Sequence, residues 1–363
     1  MMRYGYWMPV FGGWLRNVED ENMQASWDYV SRLARRSEEL GYDITLVAEL
    51  LLNDIKGINA PSLDAWSTAA ALVAVTNTLE VMVAVRPSFH PPALLAKQAA
   101  TIDRISDGRL SLNVVSAWWK DEARRYGVAF DEHDDRYART SEWLDVVSSA
   151  WRDEKLDYSG KYYNVDELIL EPKPVFRVER PRPTIYAGGE SDAAKRMITR
   201  QCDAYVMHGD PPERIAPKIA DMRRLRDQAS EALGTDLPPL QFGVAGYAVV
   251  RDTAAEVREE IARITSVTPG TPGYGNYAEW IANTKLEQRV SIEDYSVSNR
   301  GLRAGLTGTP EQVAARVEEF AHAGVDLLLL QSSPQLEEME RFSAQVITAG
   351  SSAAALRSNG VAA

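Results

Sequence analysis

A single cysteine, Cys202, stands in 363 residues, so no internal disulfide can form. Positive charge is also scarce: 40 Lys and Arg face 52 Asp and Glu, a formal net charge of −12. Phosphate backbones and anionic lipid are bound chiefly by clustered Lys and Arg, and no such cluster occurs here. Neither nucleic acid nor a membrane surface is expected as a partner. Long hydrophobic runs are missing as well. The nearest, residues 325–330, is far short of the roughly 18 that cross a bilayer. The opening MMRYGYWMPV has no basic region, apolar run or small-residue cleavage site, so a cytoplasmic location is the expectation. His90, His133, His208 and His322 lie far apart, without metal-ligand spacing, and no metal is expected. Neither a G-x-S-x-G elbow nor a cysteine nucleophile with a local signature is present. Reactivity is therefore expected to come from a cofactor.

What the chain does have is a rhythm. Short apolar or β-branched runs at 3–8, 43–48, 80–85, 109–115, 183–187, 204–207, 241–250 and 325–331 alternate with stretches of helical periodicity. The helices are expected at 27–40, 63–75, 93–105, 192–200, 212–233 and 310–323. Gly41 closes the first and Thr309-Pro310 opens the last, as helix-end chemistry prefers. Alternation of this kind builds a parallel sheet with helical crossovers, and eight repeats point to an α/β fold of the closed (β/α)8 barrel type rather than an open doubly wound sheet. One domain spanning 1–349 is expected, with a frayed Ala/Ser-rich tail at 350–363. Insertions at about 118–182 and 268–306 interrupt the rhythm. The first holds a helical stretch at 137–151 and a hairpin at 156–163; the second, with weak structure signals, is a candidate lid.

Three segments carry candidate chemistry. In Ala187-Gly188-Gly189-Glu190-Ser191-Asp192 a strand ends, two glycines allow close backbone approach, and a helix begins. Free N–H groups and the positive end of the helix dipole suit such a turn to a phosphate. The same residues equally make an ordinary turn with Ser191 or Asp192 as N-cap. In Asn113-Val114-Val115-Ser116-Ala117-Trp118-Trp119 a buried strand delivers Asn113 and Ser116 near its C-terminal end, where barrels keep their active sites. Asn113 suits hydrogen bonding to a flat heterocycle, and Trp118 suits a pocket wall; core filling is the alternative. In His133-Asp134-Asp135-Arg136-Tyr137 an acidic residue caps a helix and Tyr137 can offer its hydroxyl to a phosphate.

Taken together these segments resemble the bacterial-luciferase-like flavin monooxygenases, and among them the two-component enzymes that open C–S or C–N bonds. The stretch from Ala96 to Arg109, continuing into Asn113-Val114-Val115-Ser116, carries the likeness most clearly. Tyr6-Trp7-Met8-Pro9, the His133 to Tyr137 junction, Gly188-Gly189-Glu190-Ser191 and Gly308-Thr309-Pro310-Glu311-Gln312-Val313 follow in the family's order. The resemblance implies reduced FMN as cofactor, supplied by a separate NAD(P)H-dependent FMN reductase, O2 as co-substrate, and a homodimer or homotetramer. It implies that Tyr137, Gly189, Glu190 and Ser191 hold the FMN phosphate, and that Asn113 and Ser116 lie beside the ring and ribityl chain. Asn113 and Trp118 are the candidate catalytic residues; Trp7, Glu49, Arg86, Tyr247 and Arg303 are the candidate substrate pocket, with Arg300 as another lid cation. The sulfonate-cleaving members carry Arg and His where this chain has Ala245 and Tyr247, and Tyr where it has Ser333. A desolvated anion without a cation costs several kcal/mol, so a small neutral substrate such as a sulfone is expected. Ala117, where Gly is usual, narrows the approach to the flavin. Alkanesulfonate cleavage, pyrimidine-ring opening, a deazaflavin-dependent oxidoreductase and a non-catalytic flavin-binding protein remain the alternatives.

Overall fold

Eight parallel strands close on themselves: β1 (Arg3–Met8), β2 (Ile44–Val47), β3 (Glu80–Val85), β4 (Leu110–Val114), β5 (Thr184–Ala187), β6 (Ala204–Met207), β7 (Gln241–Tyr247) and β8 (Leu327–Gln331). Around the ring their order is β1-β8-β7-β6-β5-β4-β3-β2. The ring closes through β1, where Gly5 pairs with Ile44 on one side and Leu329 on the other. This computed structural model describes residues 2–116, 118–130, 133–283, 290–297 and 301–348. Ala117, Arg300 and the tail at 350–363, on which the sequence reading placed expectations, lie outside them.

Strand residues facing the lumen fill it as a dry plug: Ile44, Leu46, Met82, Ala84, Tyr186, Ala204, Leu327 and Leu329 are all buried. The N-terminal end is closed by Arg3, which pairs with Glu80 at 2.6 Å and donates to the Tyr186 hydroxyl at 3.2 Å. Among the described residues the cavity lies at the C-terminal end, as in other barrels of this type.

The helices begin where the sequence supplies caps. Ser26 accepts from the backbone N–H of Tyr29 to start α1 (Trp27–Glu39), and Asp64 accepts from Ser67 to start α2 (Ala65–Val75). Along α3 (Pro92–Ile105) the buried Asp103 accepts from Arg180 at 2.6 Å and from the Val175 N–H at 2.8 Å. Just beyond it, Arg109 donates to the carbonyls of Val73, Thr76, Leu79 and Ser106. The 96–109 stretch that carries most of the family likeness is therefore scaffold: it ties α2, β3 and the returning insertion together. That first insertion contains α4 (Lys120–Arg125), the long α5 (His133–Arg152), which packs against α3, and an antiparallel hairpin of Leu156–Ser159 with Asn164–Leu168.

Beyond β5 lie α6 (Asp192–Gln201), α7 (Pro212–Leu233) and α8 (Ala254–Thr265), the last opened by a capping box of Thr253 and Glu256. The second insertion is more ordered than its weak sequence signals suggested. It holds a short turn at Pro272–Tyr274, α9 (Tyr277–Asn283) and α10 (Ile292–Val297). Its local cohesion is aromatic: Trp280, Val290 and Tyr295 are buried together, with the Trp280 and Tyr295 rings stacked 5.1 Å apart. The chain then passes through α11 (Pro310–His322), β8 and α12 (Gln335–Phe342).

Candidate active site

A single cavity of about 310 Å³ occupies the barrel mouth, within the ~300–1,000 Å³ typical of small-molecule sites. Every barrel strand or the loop after it contributes, through residues such as Trp7, Glu49, Arg86, Asn113, Gly189, His208, Ala245 and Gln331. The walls have distinct chemistries.

The wall after β5 is a glycine turn at a helix N-terminus. Ser191 caps α6, its hydroxyl accepting from the Ala194 N–H at 3.2 Å. Tyr137 reaches over from α5 and lines the cavity beside Ser116 and Ser191. Burial raises the Tyr137 pKa, and those two serines draw it partly back. Gly189 sits between them at φ 150°, and a Cβ there would stand 2.9 Å from the Tyr137 oxygen and 2.5 Å from Ala194 Cβ. At Gly188 a Cβ would meet the Val206 carbonyl at 2.8 Å. Only glycines let the backbone come this close. The turn is held from behind by the Tyr205 hydroxyl, which donates to the Gly189 carbonyl at 3.0 Å, and by Lys218, which pairs with Glu190 at 3.2 Å and Asp210 at 3.0 Å. Arg136 lines the same cavity and brings a cation to this end.

The wall after β2 and β3 sets two buried carboxylates against one guanidinium. Glu49 and Arg86 are both almost fully buried; Glu49 accepts from the Arg86 backbone N–H at 2.9 Å and lies 3.4 Å from its Nε. Arg86 Nη1 donates to Glu122, and its guanidinium lies 3.9 Å from the Phe89 ring centre. His90 Nε2 contacts the other Glu49 oxygen at 2.5 Å.

Described residues of the second insertion line the mouth and are fastened there by a buried ion pair. Arg16, after β1, pairs with Asp54, after β2, at 2.7 Å with both side chains buried. Arg16 Nε donates to the Tyr295 carbonyl at 3.0 Å, Nη1 donates to the Gly273 carbonyl at 3.1 Å, and the guanidinium lies 3.8 Å from the Tyr295 ring centre. Asp54 in turn accepts from Asn276 at 3.0 Å and from the Tyr295 hydroxyl at 3.2 Å. These contacts place Trp280, Asn283, Tyr295 and Val297 on the cavity.

Of the residues singled out from sequence, the structure brings Trp7, Glu49, Arg86, Asn113, Ser116, Trp118, Tyr137, Gly189, Glu190 and Ser191 to this one cavity. Glu190 faces Lys218, a tether for the turn. Two expected pocket residues are elsewhere. Tyr247 is buried in the core beneath the mouth, where burial raises its pKa and the charges of Glu21 and Glu260 lie near. Tyr247 is the last residue of β7 paired in the barrel, opposite Gln331, and the chain then continues as Val249–Val250, paired with Thr307–Gly308 in a separate small sheet. Arg303 does not line the cavity; it lies 3.4 Å from Asp294 in the second insertion. Ala245 lines the cavity and Ser333 does not, so of the three departures that argued against an anion only Ala245 bears directly on the site. Sequence reading passed over Arg16, Asp54, Arg136 and Trp280. Arg136 alone had a local signal, its place beside Tyr137.

A barrel with a cavity at its C-terminal mouth, a glycine turn at a helix N-terminus and aromatic walls has the form of a cofactor-dependent enzyme that works on small molecules. The chain belongs to the luciferase-like monooxygenase family, whose family model matches residues 2–327. It is 32% identical over 356 residues to an FMNH(2)-dependent dimethylsulfone monooxygenase of Pseudomonas putida, covering 95% of this chain and 94% of that protein. The corresponding protein of Pseudomonas fluorescens (strain Pf0-1) is 30% identical over 355 residues, with 95% and 93% covered. Among solved structures, a riboflavin lyase with modified FMN and riboflavin superposes with a TM-score of 0.78 at 21% identity, covering 100% of this chain and 93% of that one.

Proposed function

We propose that this protein is an FMNH2-dependent monooxygenase that uses O2 to cleave a C–S bond in a small neutral organosulfur compound, a sulfone of the dimethylsulfone type. The observation that carries the reading is the turn after β5: Gly189 comes so close to Tyr137 and Ala194 that an added Cβ would collide with both, and Ser191 caps the helix that follows. Those residues fit the dianionic tail of FMN, with Arg136 supplying charge and the α6 N-terminus supplying N–H groups. The identity to the two Pseudomonas enzymes supports both cofactor and substrate class.

When bound, reduced FMN supplies the electrons that activate O2. The chain's own residues do the rest. Ser191 and Tyr137 fix the tail; Asn113, buried on the cavity wall at the end of β4, provides a polar contact beside the ring. Trp7, Trp118 and Trp280 surround the remaining space with apolar surface. The Arg16–Asp54 pair holds the second insertion down as a cover and keeps water out. One oxygen atom goes to the released carbon, so dimethylsulfone gives methanesulfinate and formaldehyde, and the other leaves as water. A separate NAD(P)H-dependent FMN reductase supplies the reduced flavin. The test is reconstitution with FMN, NADH, a flavin reductase and O2. Proton NMR should show dimethylsulfone converted to methanesulfinate and formaldehyde; sulfite from methanesulfonate, or no product from either, would contradict the reading.

A further inference from the structure

Arg86 has one feature that the turn after β5 and the cover leave unused. Its Nε faces Glu49, its Nη1 faces Glu122, and its Nη2 is buried without a hydrogen-bond partner among the described residues. The side chain is 3% exposed and lines the cavity. A guanidinium presents five donors in a rigid fork, and this fork is held by two carboxylates while one corner is left over. Leaving a buried charged donor unpaired is costly, which points to a ligand that completes the set.

The charge around that corner restricts the ligand. Two carboxylates face one guanidinium, and His90 adds charge only when protonated. The wall is therefore neutral at most and negative otherwise. The neighbouring Arg16 is likewise cancelled by Asp54. A sulfonate or carboxylate placed here would meet a donor but no net attraction, and two buried anions nearby. A neutral oxygen acceptor meets the donor without the repulsion. Trp7 Nε1 is a second buried donor with no partner among the described residues on the same cavity, whereas Trp14 Nε1 is committed to Gln335 at 2.8 Å.

We propose that Arg86 is the specificity-determining donor of this site: held by Glu49 and Glu122, it hydrogen-bonds an oxygen of a small neutral substrate and, with its charge cancelled, turns anions away. Selectivity of this kind works by what the pocket repels as much as by what it binds. The proposal rests on the monooxygenase reading for its substrate class, and it reaches the neutral preference without Tyr247 or Ser333.

The test uses the full chain loaded with oxidised FMN, so that nothing turns over. Saturation-transfer NMR on the methyl protons compares dimethylsulfone with methanesulfonate, and FMN affinity is titrated on the same samples. Wild type should bind the sulfone at least tenfold more tightly than the sulfonate. Arg86→Lys keeps the charge but loses the fork, and should weaken sulfone binding tenfold or more with FMN affinity unchanged. Glu122→Gln removes one of the two anions and should shift the sulfone-to-sulfonate ratio at least tenfold toward the sulfonate. Glu122 also accepts from the backbone N–H groups of Leu51 and Leu52, so if this variant does not fold, Arg86→Lys and the wild-type ratio decide. Wild type that binds the sulfonate as tightly, Arg86→Lys with undiminished sulfone binding, or folded Glu122→Gln with an unchanged ratio would each overturn the role of Arg86. Wild type that takes up no FMN would bring down the monooxygenase reading and this proposal together, whereas FMN uptake with any of the preceding failures sinks this one alone.

Discussion

Gly189 is where one atom matters most. At φ 150°, with a Cβ position 2.5 Å from Ala194 Cβ, Gly189→Ala forces the turn to move, at a backbone cost on the order of 1–3 kcal/mol. FMN affinity should fall roughly ten- to hundredfold, read by flavin fluorescence titration. Tyr137→Phe is milder. It removes one hydroxyl from beside the turn, worth about 1–1.5 kcal/mol, and should weaken FMN binding roughly tenfold while leaving the thermal midpoint of the cofactor-free protein nearly unchanged. A third residue acts on stability alone. Burial pushes the Glu38 pKa up, but the N–H groups of Asn77, Thr78 and Leu79 together with the Thr78 hydroxyl outweigh it, and the net direction is down. A lowered folded pKa stabilises above the unfolded carboxylate value near ~4.3 and is lost as pH falls through the folded value. Wild type should exceed Glu38→Gln in urea midpoint at neutral pH, and that margin should shrink progressively through acid. At this scale Gly189, Ser191 and Tyr137 were legible because each sits in a short run whose chemistry is local. Glu38 was not, since its partners lie about forty residues away.

The cover element shows what a local pattern cannot reveal. Arg16 and Asp54 are 38 residues apart, and Asp54 meets Asn276 and Tyr295 at separations of 222 and 241 residues. No spacing within the 268–306 stretch signals those contacts, so the segment reads as weakly structured although its aromatic residues pack around an ion pair from the barrel mouth. Asp54→Ala leaves Arg16 buried without its carboxylate, a loss of about 3–5 kcal/mol expected to fall mainly on the cover. Limited proteolysis should then cut within 268–297 well before the barrel, and NADH consumption should uncouple from substrate oxidation while FMN affinity stays close to wild type. Equal protease resistance in the variant would contradict the latch.

For the whole molecule, the alternation of eight apolar runs was enough to anticipate the barrel, and several of its β/α repeats carry their own caps: Ser26 before α1, Asp64 before α2, Ser191 before α6. Tyr247, buried in the core and not among the cavity-lining residues, shows the limit of that logic. Alternation along 241–250 treats the stretch as one strand, yet after Tyr247 the chain leaves the barrel to pair Val249 with Thr307. A charge of −12 over the chain makes the few cations at the mouth selective by position: Arg136 beside the turn after β5, Arg16 and Arg86 cancelled in place. The central claim is that the flavin tail rests on the turn after β5. A crystal structure of the protein soaked with FMN tests it most directly. The account predicts the phosphate within hydrogen-bond distance of Ser191 and the Tyr137 hydroxyl, with the ring in the barrel mouth. A mouth without flavin density, or a phosphate held away from Ser191, would contradict it.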